Sequence, residues 1–200
     1  VAALTAVETA LWDLAGKAYG VPIFQMLGGK FRDRVRLYTE SPGRSDDPKA
    51  IAAEYKRLVG EGFTMLKMDL GVANILRGKP GTIYAPAGYQ GEPGENPENY
   101  YQGFEISNKG CELVADHVAA IKEAMGDAAD IPMGHDHFGH LTVDSIIKLA
   151  RALERVTPSY LEDCVPWFRV EEWKQITGSI NIPTLTGEDA YLMESLEPLC

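Results

Sequence analysis

Apolar residues recur along the chain with two alternating periods, one helical and one extended. Val7, Leu11, Leu14 and Ala18 fall at i, i+4, i+7 and i+11, which predicts an amphipathic helix ended by Gly20 and Pro22. Leu27-Gly28-Gly29 marks a turn, and residues 35–38 form a short β-rich run. Pro48, behind Asp46 and Asp47, suits a first helical position, and Ile51, Tyr55, Leu58 and Val59 supply that helix's buried stripe. Residues 65–70, bounded by Gly62 and Gly71, read as a strand. Regular alternation then stops and resumes with a helix carrying Leu113, Val114, His117, Val118 and Ile121. After it come a strand at 131–136, a helix with Val143, Ile146, Ile147, Ala150 and Leu153, and a strand at 160–162. A helix with Val170, Trp173 and Ile176, a strand at 184–188 and a last helix reaching Cys200 complete the pattern.

A helix followed by about five β-then-α units predicts an α/β fold with a parallel sheet and helices outside it. A doubly wound open sheet and a (β/α) barrel both satisfy that order. No G-x-G-x-x-G follows a strand, which counts against the dinucleotide-binding version. A complete barrel needs eight strands and ~250 residues. The alternatives are therefore an open sheet or a partial barrel, the excerpt of a longer chain. The interruption at 71–107 is rich in Gly, Pro, Asn and Tyr, and a loop of that length in a compact domain is a lid or an insert.

Composition narrows the partners. Lys and Arg number 19 against 29 Asp and Glu, a formal charge of −10, so phosphate backbones and anionic membrane surfaces would repel the chain. No apolar run approaches the ~18 residues of a membrane span, and no signal peptide is visible although the chain opens at Val1. Three cysteines without C-x-x-C spacing suit a reducing, cytoplasmic setting better than a disulfide framework.

The candidate chemistry lies at strand ends. Asp136, Glu162 and Glu188 each close a predicted strand, and their separations are 162 − 136 = 26 and 188 − 162 = 26, one βα unit each. In a parallel barrel the C-terminal strand ends converge on the mouth where chemistry occurs. Three carboxylates brought together there would repel one another, and a hard divalent cation with oxygen ligands relieves that repulsion. The octahedral habit of Mg²⁺ leaves positions open for water or substrate oxygens.

These residues resemble the enolase superfamily, in its mandelate racemase/muconate lactonizing enzyme branch with the acid-sugar dehydratases. Ala6-Val-Glu-Thr-Ala-Leu-Trp-Asp-Leu-Ala-Gly-Lys-Ala-Tyr-Gly-Val-Pro-Ile with Leu27-Gly28-Gly29 is similar to the helix leading from the family's capping domain into its barrel. Leu161-Glu-Asp-Cys-Val-Pro166 resembles the strand-four motif E-E/D-P-x-x-P with Cys164 at the first proline, and Gly187-Glu188 resembles the strand-five ligand motif. The likeness implies a linker helix over residues 1–30 and a barrel portion over 31–200, carrying strands one to five and the long insert.

It also implies Asp136, Glu162 and Glu188 as Mg²⁺ ligands, and a small-molecule acid sugar as substrate of a homo-oligomeric enzyme. The implied chemistry removes a proton α to a carboxylate through an enediolate, leading to dehydration. Racemisation, epimerisation or cycloisomerisation on the same site, or a silent sugar-acid or metal binder, are the alternatives. Lys67 falls where the family keeps K-x-K, but Asp69 replaces the second lysine, so Lys67 is expected as base or carboxylate-polarising group and Asp69 as its partner. In the run 134–140, Phe138 stands where the family often has Asn or His, and His137 and His140 flank it; His137 is the candidate acid or base there. The insert resembles that of mannonate-dehydratase-like members, which makes Tyr84 and Tyr89 candidates for its catalytic tyrosine.

Overall fold

The structure, a computed structural model, describes residues 2–39, 47–88, 103–130, 132–136 and 141–200. Its elements in chain order are α1 (Ala2–Tyr19), α2 (Ile23–Met26), α3 (Pro48–Gly60), β1 (Leu66–Asp69), α4 (Val72–Leu76), β2 (Ile83–Tyr84), β3 (Glu105–Ile106) and α5 (Asn108–Met125). Then come β4 (Met133–Asp136), α6 (Val143–Leu153), β5 (Leu161–Glu162), α7 (Val170–Thr177), β6 (Thr184–Leu185) and α8 (Met193–Leu196). The chain divides into two compact units, residues 1–36 and 37–200.

In the first unit the apolar stripe of α1 is exposed at Val7, Leu11 and Leu14. Periodicity reports which residues share a helix face, not whether that face is covered.

The second unit is built on a four-stranded parallel sheet in the order β1-β4-β5-β6. Residues 35–38 form no regular strand; Thr39 alone makes one parallel bridge, to Leu66 of β1. Strand alternation sends Leu66, Met68, Met133 and Leu161 to the helical side, where they join a core with Tyr55 of α3, Val114, Val118 and Ile121 of α5, and Ile146, Leu149 and Leu153 of α6. Side chains satisfy the orphan N–H groups that begin these helices. Asp47 accepts from Lys49 N (3.0 Å), Ser107 from Gly110 N (3.1 Å) and Thr142 from Ser145 N (3.3 Å).

The segment after β1, expected as a lid or an insert, holds α4 and the antiparallel pair β2–β3 in its described part. These elements are too short for a periodicity to reveal. They are anchored by the fully buried Phe104, which bridges to Leu141, and by Ser107, whose hydroxyl donates to Gly81 O at 2.8 Å. All three cysteines are free. Among the described residues no helix is long and apolar enough to cross a membrane.

Candidate active site

The register of the parallel sheet sets which side chains can meet. Lys67 lies opposite Gly134, Asp69 opposite Asp136, and His135 opposite Leu161, so Asp136 and Glu162 stand level at the ends of β4 and β5. All of these except His135 and Leu161 point away from the helices, onto the inner face. Lys67 Nζ reaches Asp136 Oδ2 at 2.7 Å and Glu162 Oε2 at 3.2 Å, and all three side chains are buried. The strand that presents Lys67 is itself tied down, because the Tyr55 hydroxyl on α3 donates to Lys67 O at 2.8 Å.

A fourth charge joins this group. Asp163 follows β5 with φ +47°, a left-handed conformation that Asp tolerates better than most residues. Its Oδ1 accepts from Thr186 Oγ1 at 2.8 Å, linking the ends of β5 and β6. Ligand atoms of Asp136, Glu162 and Asp163 lie within 4.8 Å of one another. Burial pushes the Glu162 carboxyl up, and the charge of Asp136 adds to that, while Lys67 opposes both. Asp163 is also raised, first by burial; Thr186 opposes it, and Asp136, Glu188 and Asp189 reinforce it. Burial alone would lower the Lys67 ammonium, but hydrogen bonding and charge from Asp136 and Glu162 hold it well above the ordinary lysine range.

Three carboxylates and one ammonium leave a formal −3 + 1 = −2 in a largely buried space. That deficit, with an all-oxygen donor set, fits a hard divalent cation such as Mg²⁺.

The other sequence candidates lie elsewhere. Asp69 ends β1 on the same face as Lys67 and is exposed. Glu188 is exposed in the turn after β6, outside the compact group of three carboxylates yet close enough to raise Asp163. β6 ends at Leu185, three residues earlier than the apolar pattern predicts. Tyr84 is exposed on β2. His137, Phe138, His140 and Tyr89 lie outside the described residues. Two residues were missed by sequence reasoning. Asp163 looks in the sequence like one more motif position, and Tyr160 like an ordinary strand residue; the one sequence sign at Tyr160 is a large side chain one βα unit after Gly134.

Comparison with known proteins identifies the family of the chain. Residues 50–200 match the family described as Enolase C-terminal domain-like, and residues 1–28 match the N-terminal domain of mandelate racemase / muconate lactonizing enzyme. The chain belongs to the enolase superfamily, in the mandelate racemase/muconate lactonizing enzyme branch. It is 33% identical over 194 residues to the D-galactonate dehydratase family member RspA of Halomonas elongata, covering 94% of this chain and 45% of that protein. It is 33% identical over 193 residues to the D-xylonate dehydratase of Haloferax volcanii, covering 96% of this chain and 41% of that protein. A crystal structure of a mandelate racemase/muconate lactonizing enzyme-like protein from Rubrobacter xylanophilus superposes with a TM-score of 0.71 at 27% identity, covering 94% of this chain and 46% of that one. The chain thus spans less than half the length of these relatives, and its sheet is part of a (β/α) barrel.

Proposed function

We propose that this chain carries the cation-binding side of an acid-sugar dehydratase active site, in which a proton α to a carboxylate is removed and water is lost. One observation carries the reading: Lys67, from the middle of β1, meets Asp136 and Glu162, buried, at the C-terminal ends of the parallel strands β4 and β5. Relatives named as D-galactonate and D-xylonate dehydratases support the substrate class.

Asp136 and Glu162 hold Mg²⁺, and Glu188 is the third ligand. Gly187, at φ +117°, takes a conformation open to glycine and lets the chain turn after β6. Asp163, whose Oδ1 accepts from Thr186, stands beside these ligands as the alternative third donor. The cation supplies neutralisation of charge developing on the substrate carboxylate. Lys67 keeps its proton between Asp136 and Glu162 and acts as the carboxylate-polarising group. Asp69, exposed on the same face of β1, is placed to accept or return a proton at the mouth of the site, with His137 as the alternative partner.

The test is proton NMR of the full-length protein with Mg²⁺ in D₂O against a library of acid sugars. A 2-keto-3-deoxy product is expected. Deuterium at the α-carbon without loss of water would replace dehydration by racemisation or epimerisation. Neither product from any substrate would leave a binding protein.

A further inference from the structure

Beneath the carboxylates lies a second row of inward positions. Lys67 is level with Gly134, and because His135 faces Leu161, Gly134 is level with Tyr160 on β5's side. Gly134 has no side chain, and the Tyr160 ring occupies the space one would need. A Cβ on Gly134 would lie 2.0 Å from Tyr160 Cζ and 2.4 Å from both Cε atoms. The ring therefore spans the ~4.8 Å between neighbouring strands, and its hydroxyl end lies over β4, on the side of Lys67.

Two further facts separate this ring from ordinary core. Tyr160 is buried, with 9% exposure, yet it stands outside the apolar cluster beneath the helices. Its ring lies on the inner face, in the row below Asp136 and Glu162.

We propose that Tyr160 is a positioning residue: its ring, admitted by Gly134, forms the floor of the carboxylate site and sets the depth at which Asp136 and Glu162 meet a cation. The proposal rests on the reading of Asp136 and Glu162 as cation ligands. A filled floor keeps water from the underside of the carboxylates and prevents the long Lys67 stem from sinking away from them. Removing the ring leaves room for both, and ligand geometry loosens although no ligand has changed.

The experiment is calorimetric titration of the full-length protein with Mg²⁺, with each variant's thermal unfolding followed in parallel. Tyr160→Phe keeps the ring and binds within about twofold of wild type, whereas Tyr160→Leu binds roughly tenfold or more weakly, the scale of a lost supporting group. Gly134→Ala alone weakens binding to a similar degree by expelling the ring. Made on the Tyr160→Leu background it costs less than about threefold, because the space is then free. Wild-type affinity in Tyr160→Leu would overturn the floor, and equal losses in the Phe and Leu variants would give the role to the hydroxyl instead. No Mg²⁺ binding by the wild type would overturn the ligand reading, and the floor with it.

Discussion

The ends of β4 and β5 and the end of β6 carry carboxylates at equal sequence spacing in unlike surroundings. Asp136 and Glu162 are buried, and both reach the ammonium of Lys67. Glu188 sits past the last paired residue of β6, in water. A carboxylate that is dry and crowded needs a counter-charge, which Lys67 supplies in part, whereas one in water is screened by solvent. The spacing thus locates the strand ends, and burial decides which of them are under electrostatic load.

The comparison can be broken most severely from its buried side. Asp136→Asn or Glu162→Gln should lower turnover by roughly 10³-fold or more, the scale of removing a main electrostatic stabiliser of the transition state. Steady-state kinetics on the best substrate reads this, and a loss below tenfold would place the cation elsewhere. Lys67→Met leaves two buried carboxylates without their counter-charge and should cost about 3–5 kcal/mol in denaturant unfolding without divalent cations. Adding Mg²⁺ should restore part of that loss.

A milder effect comes from the other face of the same strand. His135 precedes Asp136 but points into the core, and its Nδ1 has no hydrogen-bond partner among the described residues. Burial first, and the Lys122 charge second, depress its pKa to about 3. The folded imidazole stays neutral while the unfolded one gains a proton below its usual ~6.5, so stability is complete above that pH and falls as pH drops towards 3. At pH 5.5 the loss is about 1.4 kcal/mol. His135→Leu should remove this contribution, and an unchanged pH profile of unfolding would contradict it.

Smallest is Ser107→Ala, which deletes the cap of α5 and the bond to Gly81 and should cost about 1 kcal/mol.

Much of this arrangement was readable from residues. The 65–70 and 131–136 runs place Lys67 and Asp136 on strands, and the helical stripes of α3, α5 and α6 lie in the core as their periodicity predicts. What periodicity does not carry is depth and backbone hand. It extends β6 to Glu188, where pairing stops at Leu185, and it gives no sign of the left-handed Asp163 that turns a second carboxylate towards the first. Nor does it show that Gly134 makes room for Tyr160, since that contact depends on the register of two strands 26 residues apart. The exposed stripe of α1 is the converse case, a helix where periodicity predicts one but with its apolar face uncovered by the described residues.

The central claim is that carboxylates at these strand ends hold a divalent cation. Calorimetric titration of Mg²⁺ into the wild-type full-length protein, Asp136→Asn, Glu188→Gln and Asp163→Asn tests it most directly. One equivalent bound by the wild type, no measurable heat with Asp136→Asn, and a larger loss for Glu188→Gln than for Asp163→Asn is the predicted result. Wild-type binding by Asp136→Asn would contradict it.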